Sequence, residues 1–407
     1  MSIETLNFPR ETTLQRIAAA LERQSAMVQV LAQDNLSTLA TSWAEIQRLV
    51  KEGLGPTVFH VGDQLVTKWK DVAANVEYDY TWDVVSFRPV TLKDGSVVPG
   101  MILQAHYATP FEINFDAREA FYYAAEELPA GTYNFTITNT WAKATAGTYQ
   151  FTLTQPIPAG GQIAGPGIDN LADKDPTTWT VSTYSNSTPG TAAIETASVS
   201  AGSEGTSLGN FTTAGTEVLN SMHRVSYGYN NYRQSAVRQW LNSDKAAGAW
   251  WVSQNKFDRA PSYATSKAGY LAGFAPEFLA VLANTKVVVS ANTLTDNSAT
   301  EEVYDKFFLP SLEEEYYRPQ ATTGLEGPYW EYWKRVKGLS SPQGQYSDNK
   351  LPEAIRYRLN SKTAAYLWYR SANRYSGYYV WYGLTAGYCT GTSAYNGHAV
   401  APACVIA

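Results

Sequence analysis

The sequence predicts an α+β protein with a helical N-terminal segment, a mixed α/β domain in two pieces, and a β-rich insertion between the pieces. Three observations carry this. Apolar residues fall at helical spacing from Thr12 to Lys51, two-residue alternation takes over from Thr57, and residues 118–214 break into short alternating runs separated by Gly, Pro, Ser and Thr clusters.

In the first segment the apolar positions are Leu14, Ile17, Leu21, Val28 and Leu31, then Leu36, Leu39, Trp43, Ile46 and Val50. Steps of three and four over several heptads predict a coiled-coil-like stalk (residues 1–56) that self-associates, with one phase slip; a single amphipathic helix packed on its own domain is the competing reading. Gly53, Gly55 and Pro56 end the pattern. Strands are predicted in VFHVGDQLVTKW, YTWDVVSF and VVPGMILQAHY, with a hairpin turn at Lys93-Asp94-Gly95-Ser96. In the insertion, TYNFTIT, TYQFTLT and TWTVSTY read as strands of a small sandwich. Helices return at Ser235–Asp244 and in PEFLAVLAN, followed by the strand KVVVS. The mixed domain thus comprises residues 57–117 and 215–407.

Composition narrows the function. Of 407 residues only 17% are charged while 13% are aromatic, including 28 Tyr and 12 Trp. Such a surface suits recognition, because Tyr and Trp offer large contact area at low entropic cost. A net charge of −6 without a basic block argues against nucleic acid, and no apolar stretch is long enough for membrane insertion. No signal peptide is visible. Two cysteines, Cys389 and Cys404, make no disulfide framework or metal-ligand spacing, and the four histidines are scattered. The G-x-S-x-G match at Gly205–Gly209 lacks the strand and helix that a nucleophile elbow needs. Glu313-Glu314-Glu315 read as a solvated helix start, with Ser311 as N-cap and Glu314 at the capping-box position.

The C-terminal stretch is unusual. Residues 364–407 hold eight tyrosines, no Lys, Glu, Gln or Met, and only two charges, Arg370 and Arg374. A buried core would also exclude charge, but it would favour Leu, Ile and Val over Tyr, Ser, Asn, Thr and Gly. Aromatic anchors among small polar residues are instead the composition of a paratope.

These residues, with SAVRQWLNSD, DKFFLPSLEEEY, YRSANR and the terminal PACVI, resemble the variable proteins of diversity-generating retroelements in phages and prophages. The resemblance covers roughly residues 57–407. It implies a C-type-lectin fold of the subgroup related to the formylglycine-generating enzyme. In that family a reverse transcriptase mutates adenines, and asparagine codons so treated cannot become Lys, Glu, Gln, Met or Trp. The resemblance therefore implies that Trp368 and Trp381 are scaffold, with Arg370, Ser371, Ala372, Arg374 and the terminal strand containing Cys404. It places ligand contact at Asn373, Tyr375, Ser376, Tyr378, Tyr382, Leu384, Tyr388, Thr390, Thr392, Ser393, Tyr395, Asn396 and His398, with Tyr379 assignable to either set. The implied partners are a protein or glycan ligand on a target cell surface and further copies of the chain, and the implied location is a phage tail or a bacterial surface. Calcium-dependent sugar binding is not implied, because the Asn/Asp/Glu cluster with Pro and the Trp-Asn-Asp run are missing. Nor is copper-dependent oxidation, because Cys389 falls among the diversified residues and Cys404 in an apolar strand. The expectation is binding without catalysis, cofactor or metal. The rival expectations are a structural virion or surface protein whose tyrosines are buried against its own subunits, and an oxidase of the formylglycine-generating type.

Overall fold

A computed structural model describes residues 42–117, 121–124, 129, 131–137, 147–153, 162–164, 179–181, 211–213, 216–218, 222–224, 228–254, 260–291, 300–318, 326–374 and 378–407. The helices are α1 (Trp43–Lys51), α2 (Gly55–Val58), α3 (Ala236–Leu241), α4 (Pro276–Val281) and α5 (Glu331–Lys337). The strands before the insertion are β1 (Gln64–Asp71), β2 (Val76–Thr91), β3 (Val97–Ala105) and β4 (Ile113–Asn114). Those of the insertion are β5 (Phe121–Ala124), β6 (Gly131–Ile137), β7 (Gly147–Leu153), β8 (Gln162–Ala164), β9 (Trp179–Val181), β10 (Phe211–Thr213), β11 (Thr216–Val218) and β12 (Met222–Arg224). The last group is β13 (Thr285–Ser290), β14 (Thr300–Asp305), β15 (Phe307–Phe308), β16 (Leu367–Ala372), β17 (Tyr379–Gly383), β18 (Cys389–Ser393), β19 (Gly397–His398) and β20 (Ala403–Ile406). Helices and mainly antiparallel sheets together make the chain α+β.

The central sheet has the order β1-β2-β3-β20-β15. Its β2–β3 hairpin turns where Asp-Gly predicts: Gly95 has φ +87°, and the Asp94 carboxylate accepts the Ser96 N–H at 3.0 Å. The C-terminal strand closes the fold, because β20 lies between β3 and β15, with Cys404 opposite Leu103 and Phe307. Trp82, Phe274, Phe278 and Phe307 stack over one another in the core, with centroids 5.3–6.5 Å apart. Local signals hold for α3, where the Ser235 hydroxyl accepts the Arg238 N–H, and for α4, where Pro276 opens the first turn.

Two expectations change. Helix α1 turns its stripe onto its own domain, α4 included, rather than into a coiled coil. Ile46, Leu49 and Val50 are buried in the domain's own core, Trp43 lies 4.6 Å from Phe278, and Gln47 donates to the Ala407 carbonyl at 2.8 Å. The same period serves either partner, and here the apolar groove beside β20 takes it; residues 12–41 of the expected stalk lie outside the described residues. The strand expected from Thr57 instead begins at Gln64, because Pro56, in the first turn of a short helix, commits the chain to a turn. The insertion strands pair among themselves in the orders β11-β10-β6-β7-β9 and β12-β5-β8. They run to Arg224, past the expected end at 214, because β12 pairs with β5.

Candidate ligand-binding surface

The C-terminal stretch folds into a separate three-stranded sheet, β16-β17-β18. Register pairs Trp368 with Tyr382 and Thr390, and Ala372 with Val380 and Thr392, so these share one face. The opposite face carries Tyr369, Trp381 and Cys389, which form a small second core with Leu312 and Tyr317. The sheet is therefore gripped from both sides, and what reaches solvent is its β18 margin, its turns, and Tyr379 and Tyr382 of β17.

Strand β16 is fixed by polar contacts that are themselves buried. The Trp368 indole donates to the Ile113 carbonyl at 2.9 Å. The Tyr369 hydroxyl donates to Glu315 at 2.8 Å. Arg370 is 1% exposed; it pairs with Glu314 and donates to the carbonyls of Val288, Leu309 and Glu326. The Ser371 hydroxyl donates to Glu326 and accepts the Leu312 N–H at 3.1 Å. These contacts give the YRSA part of the motif a physical role: each polar side chain answers a partner that has no water.

The acidic run corrects an expectation. The capping box forms, with the Ser311 hydroxyl accepting the Glu314 N–H at 3.2 Å and the Glu314 carboxylate accepting the Ser311 N–H at 3.0 Å. Yet Glu313, Glu314 and Glu315 are buried rather than solvated: Arg370 reaches Glu314, Tyr369 and Gln104 reach Glu315, and the Glu326 N–H donates to Glu313. Burial pushes the Glu313 carboxyl up to about 7, against the hydrogen bond from the Glu326 N–H, which lowers it. Burial likewise brings the Lys337 ammonium down to about 7; it lies 3.3 Å from the Tyr317 ring centroid and donates to the Glu315 carbonyl at 2.6 Å.

The expected contact residues fall into three groups. Asn373, Tyr382, Leu384, Tyr388, Thr390, Thr392, Ser393, Tyr395 and Asn396 are all partly exposed, on β17, β18 and their flanking turns. Tyr375 and Ser376 lie outside the described residues. Tyr378 and His398 are buried, which corrects their assignment to contact. Strand alternation turns Tyr378 to the inner face with Val380, while its neighbour Tyr379 is 38% exposed. His398 is drawn in by the pairing of β19 with β4 and sits 4.4 Å from both the Trp368 and Tyr382 rings, stacked on the latter at 17°. Neither of its ring nitrogens makes a well-formed hydrogen bond. Burial holds the imidazole down at about 4, which the adjacent Gly397 backbone only partly offsets. Of the expected scaffold, Trp368, Arg370, Trp381 and Cys404 are buried, and Arg374 is partly exposed. Cys389, read as diversified, is buried too, and burial raises its thiol well above the ordinary range. The two cysteines are free and belong to different core clusters.

Several residues that sequence reasoning missed pin the turns from below. Asn230, fully buried, donates to the carbonyls of Tyr379 at 2.9 Å and Asn373 at 3.1 Å. Gln343 donates to the Gly387 carbonyl at 2.8 Å, Asn114 to that of Tyr395, and the Asp116 N–H to that of Ala394. Gly228, at φ +78°, lies so close that a Cβ would come within 2.9 Å of the Tyr395 nitrogen. All five are distant in sequence from their targets, and single amides and glycines carry no local signal.

Among the described residues no group of three or more His, Cys, Asp or Glu side chains could hold a metal ion, and no helix is long and apolar enough to cross a membrane. Residues 211–407 match a domain of unknown function (DUF6273). No curated protein and no solved structure matches the chain.

Proposed function

We propose that this chain is a ligand-binding protein of the retroelement-diversified kind, with a C-type-lectin-like domain formed by residues 57–117 and 215–407. It works by binding alone, presenting a swappable surface to a protein or glycan on a target cell, from a phage tail or a bacterial surface. One observation carries this reading. Nine of the residues whose composition marks them as variable come together, partly exposed and without a charged side chain, on β17, β18 and their turns, above a β16 that buried polar contacts hold in place. Such a division lets side chains change without cost to the fold.

Sequencing the source locus tests it. The expected finding is a reverse-transcriptase gene beside a near-copy of the codons for residues 364–407, differing from them at adenines. A locus with neither would overturn the reading. At the protein level, replacing Tyr382, Tyr388 and Tyr395 together by Ser should abolish ligand capture while the chain still melts cooperatively.

A further inference from the structure

Strand β18 is an edge, and its sequence Cys-Thr-Gly-Thr-Ser has none of the usual guards. It carries no Lys, no Pro and no bulge. Its outward main-chain groups can be assigned. The bonds Leu384 N–H to Tyr388 carbonyl and Ala394 N–H to Tyr378 carbonyl bracket the β17–β18 ladder. Antiparallel alternation then makes Tyr382–Thr390 and Val380–Thr392 the bonded pairs and turns the backbone of Cys389, Gly391 and Ser393 away from β17. Cys389 is buried, and the Ser393 carbonyl already accepts the Asn396 N–H at 3.0 Å. What is left is the N–H and C=O of Gly391 and the N–H of Ser393, none of which meets a partner among the described residues. The site is open: a Cβ built on Gly391 would meet nothing nearer than Tyr379, at 3.8 Å.

We propose that the β18 edge captures an extended peptide segment of the ligand, which adds to the β16-β17-β18 sheet as a fourth strand. This rests on the diversified-surface reading and specifies its partner as a protein with an exposed extended segment rather than a glycan. A donor and an acceptor on one residue, with a second donor two residues on and about 7 Å away, is the repeat of an extended polypeptide. The exposed Tyr379 ring flanks the edge on one face, and the partly exposed Thr390 and Thr392 flank it on the other, so alternate ligand side chains would be read on opposite sides. Main-chain pairing also suits a surface whose side chains change. Thr390, Thr392 and Ser393 can be exchanged while the groups at Gly391 and Ser393 that hold the ligand's register stay where they are.

The test uses the full chain and a displayed library of random linear peptides. A selected peptide is resynthesised with single N-methyl groups along its backbone. The expected result is a period of two, with affinity falling tenfold or more at alternate positions and holding at those between, while hydrogen exchange slows at the Gly391 and Ser393 amides. A flat scan overturns the proposal, as does a library yielding no peptide, or those two amides being protected already by a second copy of the chain. The Tyr382/Tyr388/Tyr395→Ser variant separates the two readings. A flat scan with peptide binding lost in that variant removes strand capture alone; a flat scan with binding retained removes the diversified surface as well.

Discussion

Strands β16 and β18 flank the same central strand, yet they solve opposite problems. Every side chain of β16 is buried, and its polar ones meet carboxylates and carbonyls from sequence-distant loops. Most side chains of β18 are small, polar and partly exposed, and Cys389 alone is buried. The difference teaches how one sheet can combine constancy with change. Buried hydrogen-bonded groups are costly to alter because a lost partner leaves its mate without water, whereas a half-exposed Thr leaves nothing behind.

The largest effect expected from breaking this contrast is at Arg370. Arg370→Ala takes from buried Glu314 its closer guanidinium partner, leaving Arg88 alone, and strips the carbonyls of Val288, Leu309 and Glu326 of a donor; urea unfolding should show a loss of about 3–5 kcal/mol. Trp381→Ala, opening a void beside Tyr369 and Cys389, should lose a similar amount, about 3–5 kcal/mol. Retention of wild-type stability by either variant would mean that the floor of the sheet is not what holds it.

A middle-sized effect belongs to the pins beneath the turns. Asn230→Ala removes the amide shared by Asn373 and Tyr379 and should cost about 1–3 kcal/mol in the same assay.

Two titrations sharpen the comparison, because they run in opposite senses. The His398 pKa is depressed in the fold from 6.5 to about 4, so its contribution to stability is present above pH 6.5 and is lost as pH falls towards 4. The Glu313 pKa is raised from 4.5 to about 7, so its contribution is present below pH 4.5 and is lost as pH rises through 7. Urea midpoints measured against pH should lose the acid-side fall in His398→Phe and the neutral-side fall in Glu313→Gln. Profiles unchanged by these substitutions would show that neither group is buried as described.

The smallest effects are expected on β18 and its turn. Thr390→Ala and Leu384→Ser should each shift stability by no more than about 0.5 kcal/mol. Losses there as large as those at Arg370 would erase the contrast and make the whole sheet structural.

Several features were legible in the sequence because their causes are local. Asp94-Gly95 specifies a turn, Ser235 a helix start, and Ser311 with Glu314 a capping box, since each needs only residues within a few positions. The stretch proposed as variable stands out through composition, since tyrosines without Lys, Glu, Gln or Met mark residues 364–407 whatever their fold. What periodicity leaves undecided is the partner. The α1 stripe fits a coiled coil with another copy or the chain's own core equally well, and contact with Phe278 and Ala407 settled it for Trp43–Lys51. The same holds for charge: Glu314 looks solvated until Arg370, from a strand distant in sequence, arrives beside it. Period and composition are properties of one segment, and burial is a property of two; only the tertiary structure could decide that His398 turns inward against Trp368 while Thr390 stays in reach of solvent.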